Sequence, residues 1–136
     1  GWIEGLPTAA KAKFRIKKFY IDSRIPDPAA WRIAEEAIVF KSIPDITTDN
    51  FYHEVFHSIV HTFSGDYQFF ADALDAIGWI ELAEKMRRER TVMIEFPSPA
   101  MGLVLGEELS NNFSRYMRKE KLHPRWIVFF EDLFPK

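Results

Sequence analysis

The chain has 136 residues, of which 47% are hydrophobic and 15% aromatic, including 13 Phe, so it holds enough apolar material for a dense core. With 28% charged residues and a net charge of −2, it carries no overall basic field for nucleic acid, and the absence of Cys excludes disulfides, thiolate zinc sites and a Cys nucleophile. No run approaches the ~20 apolar residues that cross a bilayer. Lys11, Lys13, Arg15, Lys17 and Lys18 break up the apolar N-terminal residues, so neither a membrane partner nor a secretory leader is expected, and a staple-free domain fits the cytoplasm.

Pro and Gly divide the chain into helix-length pieces. The first predicted helix runs from about Thr8 to Ile21, with Thr8 as N-cap and Phe14, Ile16, Phe19, Tyr20 and Ile21 on its apolar side. Asp27 followed by Pro28 is a helix-start signal. The second helix would carry Trp31, Ala34, Ala37 and Ile38 inward, and Pro44 closes that segment.

The third piece, about Asp49 to Phe63, has the clearest pattern. Phe51, Val55, Phe56, Ile59, Val60 and Phe63 occupy one half of a helix and do not fit strand alternation. Ser64-Gly65-Asp66 separates it from a fourth helix bearing Phe69, Phe70, Ala73, Leu74 and Ile77, which Gly78 ends. A fifth helix carries Ile80, Leu82, Ala83 and Met86 and has a basic C-terminal end. Thr91 to Phe96 reads as an extended linker closed by Pro97-Ser98-Pro99. A sixth helix covers about Leu103 to Glu120, and a last apolar piece spans Trp126 to Phe134. The expected fold class is all-α, a bundle of six or seven helices.

One motif carries explicit chemistry. His53-Glu54-Val55-Phe56-His57 matches H-E-x-x-H, which sets two imidazoles one helical turn apart for zinc with Glu as general base. His61 continues the ladder, but it stands ~12 Å of helix rise from His53, too far to share one ion. A third ligand must come from elsewhere, and spacing alone would allow Glu81 or Glu84. Against this zinc-hydrolase reading, an all-helical chain offers no sheet to hold a substrate. Half-buried imidazoles also occur routinely at the border of an amphipathic helix. The reading preferred from sequence therefore assigns no catalytic residue, metal or cofactor, with His53, His57 and Glu54 as the alternative metal site. Ser58 has no nucleophile-elbow glycines around it, and Gly102 to Gly106 lacks the Lys-Ser/Thr of a phosphate loop.

Charges segregate along the chain. Asp72 and Asp75 on one predicted helix and Lys85, Arg87, Arg88 and Arg90 on the next form faces of opposite sign suited to protein docking. Lys11 to Lys18 and Arg115 to Arg125 are basic clusters, and a helical RNA-binding module is a further alternative.

Residues 66–86, DYQFFADALDAIGWIELAEKM, resemble the fourth and fifth helices of caspase-recruitment (death-fold) domains, through Phe70, Ala73, Leu74, Gly78, Leu82 and Ala83. The nearest likeness is to the N-terminal domains of RIG-I-like and Dicer-related RNA helicases. The resemblance implies a CARD-like domain over residues 8–90, a linker over 91–102, and C-terminal helices over 103–136 that pack on it or begin a second domain. It also implies a non-catalytic regulatory domain of an RNA helicase in RNA sensing or silencing, with another protein or a domain of the same chain as its partner.

Overall fold

Extended backbone replaces two of the expected helices in the first forty residues. The computed structural model describes residues 1–135. A short helix α1 (Thr8–Ala12) leads into strands β1 (Lys18–Ile21), β2 (Ala29–Arg32) and β3 (Ala37–Phe40). The helix expected from Thr8 to Ile21 thus stops at Ala12, and the helix expected after Pro28 is a β-hairpin. Burial explains the second difference. Ala37-Ile38-Val39-Phe40 is buried at every position, so its side chains show neither helical period nor alternation, and its β-branched pair favours a pleated backbone. Pro28 lies just before β2, where its carbonyl accepts the Lys41 N–H at 2.8 Å and its missing donor costs nothing. Glu36 closes the hairpin at φ 51°.

The sheet order is β1-β3-β2, with β1 parallel and β2 antiparallel to β3. Both β1 and β2 therefore have a free edge. The fold is mostly helical with a small sheet, so the all-α expectation is corrected. Six α-helices lie among the described residues.

α2 (Thr48–Thr62) starts where the Thr47 hydroxyl accepts the Asn50 N–H at 3.1 Å. α3 (Tyr67–Ile77) is capped by Asp66 and ends at Gly78, whose φ of 99° suits a residue without Cβ. α4 (Ile80–Glu89) folds back on α3. Residues 91–96 form neither helix nor strand. α5 (Ala100–Met117) runs antiparallel to α2, and α6 (Pro124–Leu133) closes the bundle.

The α2–α5 contact is built from aromatic and small residues. Phe56 stacks on Phe113 with centroids 4.5 Å apart, and Phe130 of α6 meets both. Ser110 and Ser114 are fully buried, so α5 presents a slim stripe to its neighbour and approaches closely. The Ser114 hydroxyl donates to Asp49 Oδ1 at 2.7 Å, and Arg118 joins the same carboxylate. α5 and α6 share one apolar cluster with α2, α3 and the sheet. Among the described residues no helix is long and apolar enough to cross a membrane.

Candidate metal centre

Positions four apart on a helix lie one above the other, and α2 uses this to stack His53 and His57. Their rings meet edge to face, and the two Nε2 atoms are 3.1 Å apart. Both side chains are half-buried, at the border that the apolar pattern of α2 defines. Glu107 of α5 completes the group. Its Oε2 lies 3.3 Å from His53 Nε2, and its Oε1 lies 3.3 Å from His57 Nε2. Ligands about 2.1 Å from a tetrahedral zinc ion stand ~3.4 Å from one another. The three side chains therefore meet at one point of the cleft wall, each imidazole facing its own oxygen of the exposed Glu107 carboxylate, while His53, Glu54 and His57 form a cluster whose ligand atoms lie within 4.8 Å of one another.

Glu54 stands beside His53, its Oε2 3.8 Å from His53 Nε2. It is buried, and burial pushes its carboxyl up to about 8, with the Glu107 charge acting in the same direction. The Trp31 backbone N–H, directed at the carboxylate, opposes that shift. His57 is pushed down, first by burial and then by His53, while Glu107 acts the other way. The neutral imidazole that results is the form that ligates a metal.

The sheet reaches the same place. Lys41 N–H bonds Pro28, so alternation turns the N–H and C=O groups of Ala30 and Arg32 toward β3. Those of Ala29 and Trp31 then face the free edge of β2, which borders the centre. A cleft of about 720 Å³ lies between β2, α2 and α5, with His53, Glu54, His57, Glu107, His61 and Asn111 on its walls. The expectation that the chain has no sheet for a substrate is thus corrected. The four-residue strands were too short to show a period, and one of them is buried on both faces.

No family model, no curated protein and no solved structure matches this chain.

The other candidate residues lie elsewhere. Glu81 and Glu84, named for a third ligand by spacing, are exposed on α4 and do not line the cleft. Arg87 spans α4 and α3, pairing with Asp72 at 2.6 Å and also with Asp75, so these faces of opposite sign bind each other. Lys85 is half-buried, and Arg88 and Arg90 are exposed at the end of α4. Ser58 is buried and donates to the Val55 carbonyl at 2.6 Å.

Glu107 was not singled out by any sequence motif. A signal was present, because Glu107, Ser110 and Ser114 fall at i, i+3 and i+7 of one helix. Two small residues below a carboxylate mark a stripe where another helix packs closely, and a carboxylate on that stripe is aimed at the neighbour.

Proposed function

We propose that this chain is a zinc-dependent hydrolase acting on peptide bonds, with His53, His57 and Glu107 as metal ligands and Glu54 as general base. The observation that carries it is the meeting of three ligand-type side chains from two helices, with the imidazole nitrogens 3.1 Å apart and each 3.3 Å from one oxygen of Glu107. Zinc bound there would supply a Lewis acid that polarises a carbonyl and acidifies water. Glu54 would take the proton from the attacking water and hand it to the departing amide nitrogen, so protons balance over one turnover. With its carboxyl pushed up to about 8 by burial, Glu54 would accept that proton to a growing extent as pH rises towards that value. With the Trp31 N–H directed at Glu54, the outward N–H and C=O of Ala29 and the C=O of Trp31 are the groups that favour a substrate in extended conformation along β2.

The rival reading is a non-catalytic, death-fold-type docking domain of an RNA helicase that recruits partners through α3 and α4. It is supported by the α3–Gly78–α4 hairpin and the charges on it. It gives no role to the ligand group. Elemental analysis of protein dialysed against zinc decides between them. Stoichiometric zinc that is lost in His57→Ala, with peptide hydrolysis that stops on chelation, is the expected result. A chain that binds no zinc, or binds it equally well without His57, would overturn the hydrolase reading and leave the docking role in front.

A further inference from the structure

Asp27 and Pro28 carry the signal of a helix start, yet the chain goes on into β2, so the Asp27 carboxylate has no helix N-terminus to cap. Among the described residues it forms no ion pair and no side-chain hydrogen bond, and it lines the cleft of the metal centre. Burial and the Glu107 charge are the main causes that raise the Glu54 carboxyl, and the charge of Asp27 adds to them. Asp27 thus stands within electrostatic reach of the general base.

The backbone holds it there. Pro26 and Pro28 flank Asp27, and a residue before proline is confined to extended conformations. The Pro28 carbonyl is tied to the Lys41 N–H at 2.8 Å. Two residues beyond Asp27, Ala29 turns its N–H and C=O to the free edge of β2, so a peptide lying along that edge passes the Asp27 carboxylate.

The cleft carries charge of one sign. Asp49, Glu54 and Glu107 also line it, and among the described residues no Lys or Arg does. Each of those three carboxylates has another partner or is buried. Asp49 accepts from Ser114 at 2.7 Å and pairs with Arg118 at 3.3 Å, Glu107 meets the two imidazoles, and Glu54 is buried. Arg32, the cation on β2, turns to Tyr20 and Asp22 on the sheet face opposite Trp31. Trp31 itself is half-buried in the cleft wall, and its Nε1 has no acceptor, so no hydrogen bond locks the indole. Indole rings accept the aliphatic stem and the charge of a long basic side chain.

We infer that the cleft selects an extended peptide bearing a Lys or Arg side chain, whose charged head pairs with Asp27 while its stem lies against Trp31. The inference rests on the hydrolase reading and adds the class of substrate to it.

The test uses the zinc-loaded full chain and peptides identical except at one position, which holds Lys, Leu or Glu and is moved along the sequence. At the best position kcat/KM should fall in the order Lys, Leu, Glu, and the spread should shrink as salt is raised. Asp27→Asn should cut the Lys-over-Glu ratio about three- to tenfold, through KM, at unchanged zinc content. Asp27→Lys should reverse the order. Equal cleavage of all three peptides at every position, or a Lys preference that survives both variants, overturns the inference and leaves the hydrolase reading standing. A chain that cleaves none of them overturns the hydrolase reading. Binding of the same peptides, read by fluorescence anisotropy, then decides the charge preference: a Lys peptide held no more tightly than its Glu counterpart overturns that as well.

Discussion

The Glu107 carboxylate stands 3.3 Å from His57 Nε2, and it does so because Ser110 and Ser114 let α5 close against α2. A helix pair held apart by bulkier residues would leave two imidazoles on α2 and no third ligand.

Removing that carboxylate should therefore act on the metal first. Glu107→Ala is expected to weaken zinc binding by more than ~100-fold, beyond the 10–100-fold typical of groups that only support a ligand. Competition with a chelating indicator measures it. Glu81→Ala and Glu84→Ala should bind as the parent does; a loss in either, with Glu107→Ala unaffected, would place the third ligand on α4.

Glu54→Gln separates chemistry from metal binding. The amide keeps the shape of the carboxylate but takes no proton from water. Zinc content should stay stoichiometric while kcat falls by about 10²–10⁴. Parallel loss of zinc and activity would make Glu54 a ligand instead.

Phe56 is the strongest apolar anchor of the α2–α5 contact, fully buried and stacked on Phe113. Phe56→Ala should lower unfolding stability by about 3–5 kcal/mol in urea titrations. Leu74→Ala, also at a fully buried site, belongs in the 2–5 kcal/mol range. The sequence pattern ranks Trp31 with these two, but its side chain is half-buried at the cleft wall, so Trp31→Ala should cost less than Phe56→Ala. The reverse order would mean that the cleft wall, not the aromatic stack, is the weak point of the fold.

Asp22 supplies a pH dependence. The side-chain and backbone hydrogen bonds from Arg24, with Arg32 adding its charge, hold its carboxyl at about 2, against ~3.9 in an unfolded chain. A depressed folded-state value stabilises the fold fully above about pH 4 and is lost as pH falls through about 2. An NMR titration of the Asp22 carboxyl should show that low midpoint, and Asp22→Asn should flatten the acid limb of the stability curve between those values. A midpoint near 4 would show that the Arg24 contact does not persist in solution.

The long helices were legible because each buries one stripe. Phe51, Val55, Phe56 and Ile59 in α2, and Phe69, Ala73 and Leu74 in α3, sit at helical spacing and are buried. The break at Ser64-Gly65-Asp66 and the stop at Gly78 stand where the sequence reading put them, with Asp66 as the N-cap of α3. The hairpin was hidden for a physical reason. Trp31, Ala34, Ala37 and Ile38 mimic a helical stripe, while Trp31 and Ile38 are cross-strand partners and Ala34 lies in the turn. The metal centre was half legible. His53, Glu54 and His57 are local in sequence, whereas Glu107 depends on how two distant helices pack, which no local pattern encodes.

That dependence ties metal loading to the integrity of the whole bundle. The chain has no Cys, so no disulfide joins its early and late segments, and a cation shared by α2 and α5 would be a reversible cross-link between them. An unfolded chain scatters His57 and Glu107, so zinc would favour the native state, by about 2.7 kcal/mol at a free concentration one hundred times Kd. Chelation would then lower the melting temperature as well as stop turnover. Metal supply would set the lifetime of the protein along with its activity.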